Sequence, residues 1–176
     1  MSRRSYFKTM LGRLLLLAGI PSVVLPALFL LDEYRSGERH LKEVGRQIHA
    51  NLVQNSKEGF LTGQAEHYLK PLADSALTSP EVGGVVFRTS DGKILWIAAQ
   101  SGDEGLKGAM ESFAPGQAGS SAARLAGKRL YVLTGPVQAW KMPSAEALFG
   151  LEPQRAETSL GTVTLFMSPG SLVESL

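Results

Sequence analysis

Residues 14–31 constrain this chain more than any other segment. Eighteen consecutive residues carry no charge and a single polar side chain, Ser22. As a helix rising about 1.5 Å per residue, the run spans roughly 27 Å, close to the hydrocarbon thickness of a bilayer. Arg3, Arg4, Lys8 and Arg13 precede it, and Asp32 and Glu33 follow at once. Positive charge is retained on the cytoplasmic side, so the expected topology keeps residues 1–13 inside and exports residues 32–176. The alternative is a cleaved signal peptide. Against it, the run exceeds a usual signal core, and no small-x-small pair lies beside Phe29, Leu30 and Leu31. Pro21 and Pro26 would break a soluble helix but are tolerated in a membrane span, where they favour a kink.

The formal charge of +2 misleads if read over the whole chain. Four of the 18 Lys and Arg precede the apolar run, which leaves fourteen against 16 Asp and Glu, near −2. The basic balance therefore reports topology, and no basic patch with interleaved aromatics suggests a nucleic-acid partner. The exported part is long enough for one domain with its own core. It contains no cysteine, so packing alone must stabilise it, and neither a thiolate metal site nor a cysteine nucleophile is available. A bacterial envelope suits such a chain better than a disulfide-rich setting.

Residues 32–57 hold no proline and many good helix formers. Leu41, Val44, Ile48 and Leu52 recur at three- and four-residue steps, drawing one apolar stripe on a helix. Leu41, Val44 and Ile48 fit a heptad seam, and the next seam positions, Asn51 and Asn55, are polar. Two readings stay open: a helix lying on its own domain, or a membrane-proximal helix pairing with its copy in a homodimer. Gly59 and Thr62-Gly63 interrupt the pattern. A second helix is expected over residues 64–77, with a kink or restart near Lys70 because of Pro71.

The character then changes to strands. Residues 82–89 and 93–98 are β-rich and flank Ser90-Asp91-Gly92, where Asp-Gly predicts a type I′ hairpin. A glycine-rich loop over 100–120 holds about one helical turn near 106–113. Residues 122–126 and 129–137 form a second hairpin through Gly127-Lys128. A polar excursion over 141–159 leads to a last strand at 160–167, and Ser168-Pro169 opens a helix at Gly170. Helices first and an antiparallel sheet after them predict an α+β domain with helices on one face. The expected divisions are a basic N-terminus (1–13), a transmembrane helix (14–31), a helical membrane-proximal segment (32–78), a sheet domain (79–168) and a helix start (169–176).

With Phe60, Gly63, Ser79, Pro80, Val82, Asp91, Gly92, Ile94 and Leu95 at their spacing, the chain resembles the periplasmic PAS-like (Cache-like) sensing domains of bacterial membrane signalling proteins. These occur in sensor histidine kinases and diguanylate cyclases. Their pattern is a membrane helix and a long helix ending near Phe-x-x-Gly. A second helix closed by Asp/Ser-Pro-x-Val comes next, then a strand and an Asp-x-x-Gly-x-Ile/Val-Leu hairpin. The ending "LGTVTLFMSPGSL" resembles the last strand of such domains, which normally leads into a second membrane helix. The motifs are patterns of residue class and carry no invariant chemical signature. The resemblance implies a five-stranded antiparallel sheet flanked by the N-terminal helices, in the sensing region of an inner-membrane receptor, with residues 32–176 in the periplasm. No HAMP segment, kinase or cyclase follows, so the chain reads as the N-terminal part of a longer receptor, or as a stand-alone relative.

No catalytic constellation stands out: there is no Gly-x-Ser-x-Gly, no His-Glu-x-x-His and no phosphate-cradling loop. No enzyme activity, metal or cofactor is expected from these residues. His40 and His49 lie nine apart, off any ligand-pair spacing, and His40, His49 and His67 read as solvated helix histidines. Gly83-Gly84 inside a strand marks a bulge or a close backbone approach. Alternation puts Val85 with Phe87, Ile94 with Trp96, and Tyr131 with Leu133, opposite Leu130 and Val132. Arg88, Trp96 and Tyr131 could then line a small pocket for an organic acid, with Arg88 gripping its carboxylate. The competing reading makes Phe87, Trp96 and Tyr131 core and Arg88 a rim charge. The expected partners are the lipid bilayer, a second copy, and an organic acid or a periplasmic protein.

Overall fold

The computed structural model describes residues 3–100, 103–114, 118–140 and 157–168, with side chains from residue 24 onward except at 140 and 157. The elements are α1 (Arg3–Asn55), α2 (Lys57–Thr62), α3 (Ala65–Leu77), β1 (Val82–Thr89) and β2 (Ile94–Ala99). They continue with α4 (Glu104–Ser112), β3 (Gly119–Leu125), β4 (Lys128–Trp140) and β5 (Glu157–Met167). The chain divides into two units, Met1–His40 and Leu41–Leu176.

The first unit is helical. Its expected transmembrane run, 14–31, lies in part among residues whose side chains are not described. Among the described residues no helix is long and apolar enough to cross a membrane. The helix start expected at 169–176 and most of the polar excursion, 141–156, lie outside the described residues.

The second unit is α+β: five antiparallel strands in the order β2-β1-β5-β4-β3, with helices on both faces. The expected helices on one face are joined by α4 on the other, built where only a helical turn was anticipated. Alternation along β1 explains how two cores form. Val85 and Phe87 point to the α1–α3 face, while Val86 points to the α4 face. Phe87 and Val163 lie beneath α1–α3, and Phe166 packs edge-to-face on Phe113, with ring centroids 5.4 Å apart. Each such fully buried side chain contributes about 1.5–3 kcal/mol.

Several local expectations change. Ala65–Leu77 is one helix through Pro71, because Leu69, Ala73 and Ala76 anchor it to the sheet on both sides of that residue. The first hairpin is not type I′. Gly92 is left-handed (φ 83), its N–H donates to the Thr89 carbonyl, and Asp91 keeps negative φ, so a turn of ordinary hand is followed by a left-handed glycine. In the second hairpin the turn residues are Ala126 (φ 48) and Gly127 (φ 77), one position earlier than expected. Register slips by one residue between Phe87 and Arg88, which pair with Trp96 and Ile94. That bulge sends Ile94 to the α4 face and leaves Trp96 on the other, so the two do not share a face. Tyr131 and Leu133, and on the opposite face Leu130 and Val132, lie as alternation places them. Gly83-Gly84 carries a bulge against β5, and a methyl on Gly84 would overlap Met110 of α4.

Candidate functional site

Arg88 leaves β1 on the α4 face. Its Nη2 donates to the carbonyls of Met110 (3.1 Å), Glu111 (2.9 Å) and Phe113 (2.9 Å). The last carbonyls of a helix lack intrahelical partners and carry partial negative charge, so a guanidinium there both caps and neutralises α4. The side chain is thus engaged structurally.

Trp96 lies on the opposite face, across from Phe87. Its indole Nε1 is buried and, among the described residues, has no hydrogen-bond partner. Tyr131 also lies on that face, under the Lys42 ammonium at 5.8 Å from the ring centroid. Two strands, β1 and β5, separate β2 from β4, so the two aromatics stand roughly 14 Å apart at strand spacing. Arg88, Trp96 and Tyr131 therefore do not form one pocket: the sheet itself separates the cation from both aromatics.

The seam of Leu41, Val44 and Ile48 is committed to the chain's own sheet. Leu41 is 4% exposed and belongs to the core, and Val44 and Ile48 pack against that core half-buried. The buried line of this helix runs through Leu41, Gly45 and Leu52 and continues to Ser56 just past its end, a set that drifts away from the heptad seam.

His49 sits on that line, and this corrects its reading as a solvated helix residue. Its Nε2 donates to the Val163 carbonyl of β5 at 3.1 Å. Because a carbonyl only accepts, this bond selects the tautomer with its proton on Nε2. The ring fits because Gly135, paired with Val163 on the adjacent strand, has no side chain; a methyl there would overlap Cε1. Burial pushes the imidazole below its ordinary pKa, against the smaller raising effect of the Val163 bond. The spacing 45, 49, 52, 56 could have found His49 in the sequence, but nothing there pointed to Gly135. His40 and His67 are exposed, with His67 edge-on to Tyr68.

Two open clefts lie among the described residues. One, of about 420 Å³, lies beside Gly83, Gln100, Leu106 and the Asp103–Lys128 ion pair. Asp103 caps α4 through the Leu106 N–H (2.9 Å) and pairs with Lys128 (2.6 Å), and both hold its carboxyl below the usual range, the Lys128 bond most strongly. The other, of about 280 Å³, separates α1 from α3 beside Asn51, Leu72 and Ser75. Among the described residues no three His, Asp or Glu side chains gather in a way that could hold a metal ion.

In the first unit, Val24, Leu25, Leu28, Phe29, Leu30 and Leu31 are 45–71% exposed. Residues 28–31 follow one another at about 100° per residue, so apolar side chains surround the helix here. No family model, no curated protein and no solved structure matches this chain.

Proposed function

We propose that this chain is the periplasmic signal-sensing region of a bacterial inner-membrane receptor, the N-terminal part of a histidine kinase. Residues 14–31 lie in the bilayer, and the α+β unit reads the envelope without performing catalysis. The observation that carries this reading is the exposed apolar collar of residues 24–31. Its six large side chains, 45–71% exposed, would gain about 5–10 kcal/mol together by entering hydrocarbon, since full burial of each is worth about 1.5–3 kcal/mol. No protein surface covers them among the described residues, and apolar area on every side of one helix suits lipid better than a single partner groove. The five-stranded antiparallel sheet is compatible with a PAS-like sensor and supports the reading to that extent. Pairing of two copies belongs to the same reading. With Leu41 in the core, that contact has to do without Leu41, while Val44 and Ile48 remain half-buried.

The chain has no cysteine, which makes the topology directly testable. In intact cells, a membrane-impermeant maleimide should label Gln54→Cys and Asp74→Cys, both at exposed positions, and should not label Ser5→Cys until the inner membrane is opened. Labelling of Gln54→Cys only after lysis would refute the topology.

A second reading is a membrane-anchored accessory or scaffold protein of an envelope complex. The separation of Arg88 from Trp96 and Tyr131 favours it, because it removes the pocket a small acid would need. Coding sequence beyond Leu176 distinguishes the two: a second apolar span with a kinase or cyclase domain supports the receptor, and a stop codon supports the scaffold.

A further inference from the structure

Of the surface features, both clefts have only satisfied or solvent-facing polar groups, and neither carries a ligand argument. The seat of α1 on the sheet carries one. The part of α1 within the second unit meets β4 and β5 at Gly45 and His49, and Leu41 and Leu52 of the same helix are buried in the core on that face. Three of these are apolar or lack a side chain, and the fourth can acquire a charge near neutral pH.

We propose that His49 makes the seating of residues 41–55 on the sheet acid-sensitive: the neutral ring locks the helix down, and its protonation loosens it. The geometry explains why a proton would be poorly tolerated. Nε2 already holds the proton that reaches Val163, so the added one must go to Nδ1, on a half-buried ring whose Cε1–Nε2 edge faces Gly135. The strands beneath bring no counter-charge, since residues 133–137 of β4 and 161–165 of β5 contain no ionisable side chain. On α1 the ionisable neighbours are Lys42, half-buried over Tyr131, and the exposed Glu43 and Arg46; α2 brings half-buried Lys57 and exposed Glu58. On α3, Glu66, Lys70 and Asp74 are exposed. None of these groups is hydrogen-bonded to the ring in the way the Val163 carbonyl is. The direction of the pKa change agrees: a seated ring prefers to be neutral. Linkage then gives the sign. A folded pKa below the ordinary 6.5 means that the seat is fully stabilised above 6.5 and loses stability as pH falls below it. This inference concerns the second unit alone and does not depend on the proposed receptor role.

The test uses the full chain in detergent micelles. Ser56→Cys places a near-isosteric thiol at the fully buried residue that directly follows the seated helix and donates its N–H to the Leu52 carbonyl, and Gln54→Cys supplies an exposed reference that cancels the pH dependence of thiol chemistry. The ratio of their labelling rates should rise between pH 7.5 and 5.0, by no more than about tenfold per pH unit below 6.5, the limit for one proton. In a His49→Gln background the ratio should stay flat. A flat ratio in the parent, or an equal rise in His49→Gln, overturns the proposal. An NMR titration of His49 in the otherwise unaltered chain gives a second reading that needs no variant at that position. A midpoint below 6.5 supports the proposal, and one at or above 6.5 overturns it.

Discussion

Replacing Gly135 with alanine probes the contact between α1 and the sheet at its tightest point. The added methyl would overlap His49 Cε1 and lie 3.2 Å from Nε2. The ring is held by its bond to Val163, so it must abandon that bond or the helix must lift. Overpacking of this kind costs about 1–3 kcal/mol, and a lost hydrogen bond about 0.5–1.5 kcal/mol. The reduced freedom of the unfolded chain returns about 0.4–1 kcal/mol. The expected net loss is about 1–3 kcal/mol, a large share of the 5–15 kcal/mol typical of a domain. Urea unfolding of the full chain in micelles, followed by tryptophan fluorescence, measures it. The decisive comparison is a double-mutant cycle with His49→Ala. Once the ring is gone the methyl has room, so Gly135→Ala should become neutral or mildly stabilising, with a coupling of at least about 1.5 kcal/mol. Equal penalties in both backgrounds would refute the reasoning, because the cost would then arise in the strand itself.

Trp96→Phe should change stability by less than about 1 kcal/mol, since removing a buried N–H that has no partner among the described residues offsets the lost ring volume; a loss above about 2 kcal/mol in the same unfolding assay would mean the indole is paired. Arg88→Ala should cost about 1.5–3 kcal/mol and raise hydrogen exchange in α4 before β1, and Arg88→Lys should recover only part, because all three bonds come from Nη2 and a lysine side chain ends one bond short of it. Unchanged α4 protection would count against the cap. Ala126→Asn should stabilise the β3–β4 hairpin by about 0.5–1 kcal/mol, because asparagine accepts the left-handed backbone that alanine occupies at φ 48. A lower denaturation midpoint would show that the turn tolerates alanine for another reason.

Much of the second unit was legible because its signals are local. The β-rich runs around Ser90-Asp91-Gly92 and around Gly127 mark both hairpins, since turn residues and alternation act within a few positions. Gly83-Gly84 announced its bulge for the same reason. The candidate pocket failed for a reason equally specific. Alternation describes one strand at a time, and a single slip between Phe87 and Arg88 was enough to part Ile94 from Trp96. Arg88 looked available because its acceptors lie 22–25 residues away, on a helix expected to be about one turn.

By itself the sequence determined the apolar run at 14–31, the helix-then-strand order, both hairpins and the last strand, all consequences of composition and period over short windows. Tertiary structure alone decided that β5 returns between β1 and β4, that α4 covers the second face, and that the Leu41 stripe turns to its own sheet. It also decided that His49 meets a carbonyl 114 residues away over a glycine. Such pairings depend on which distant surfaces exclude water together, and no local pattern encodes that choice.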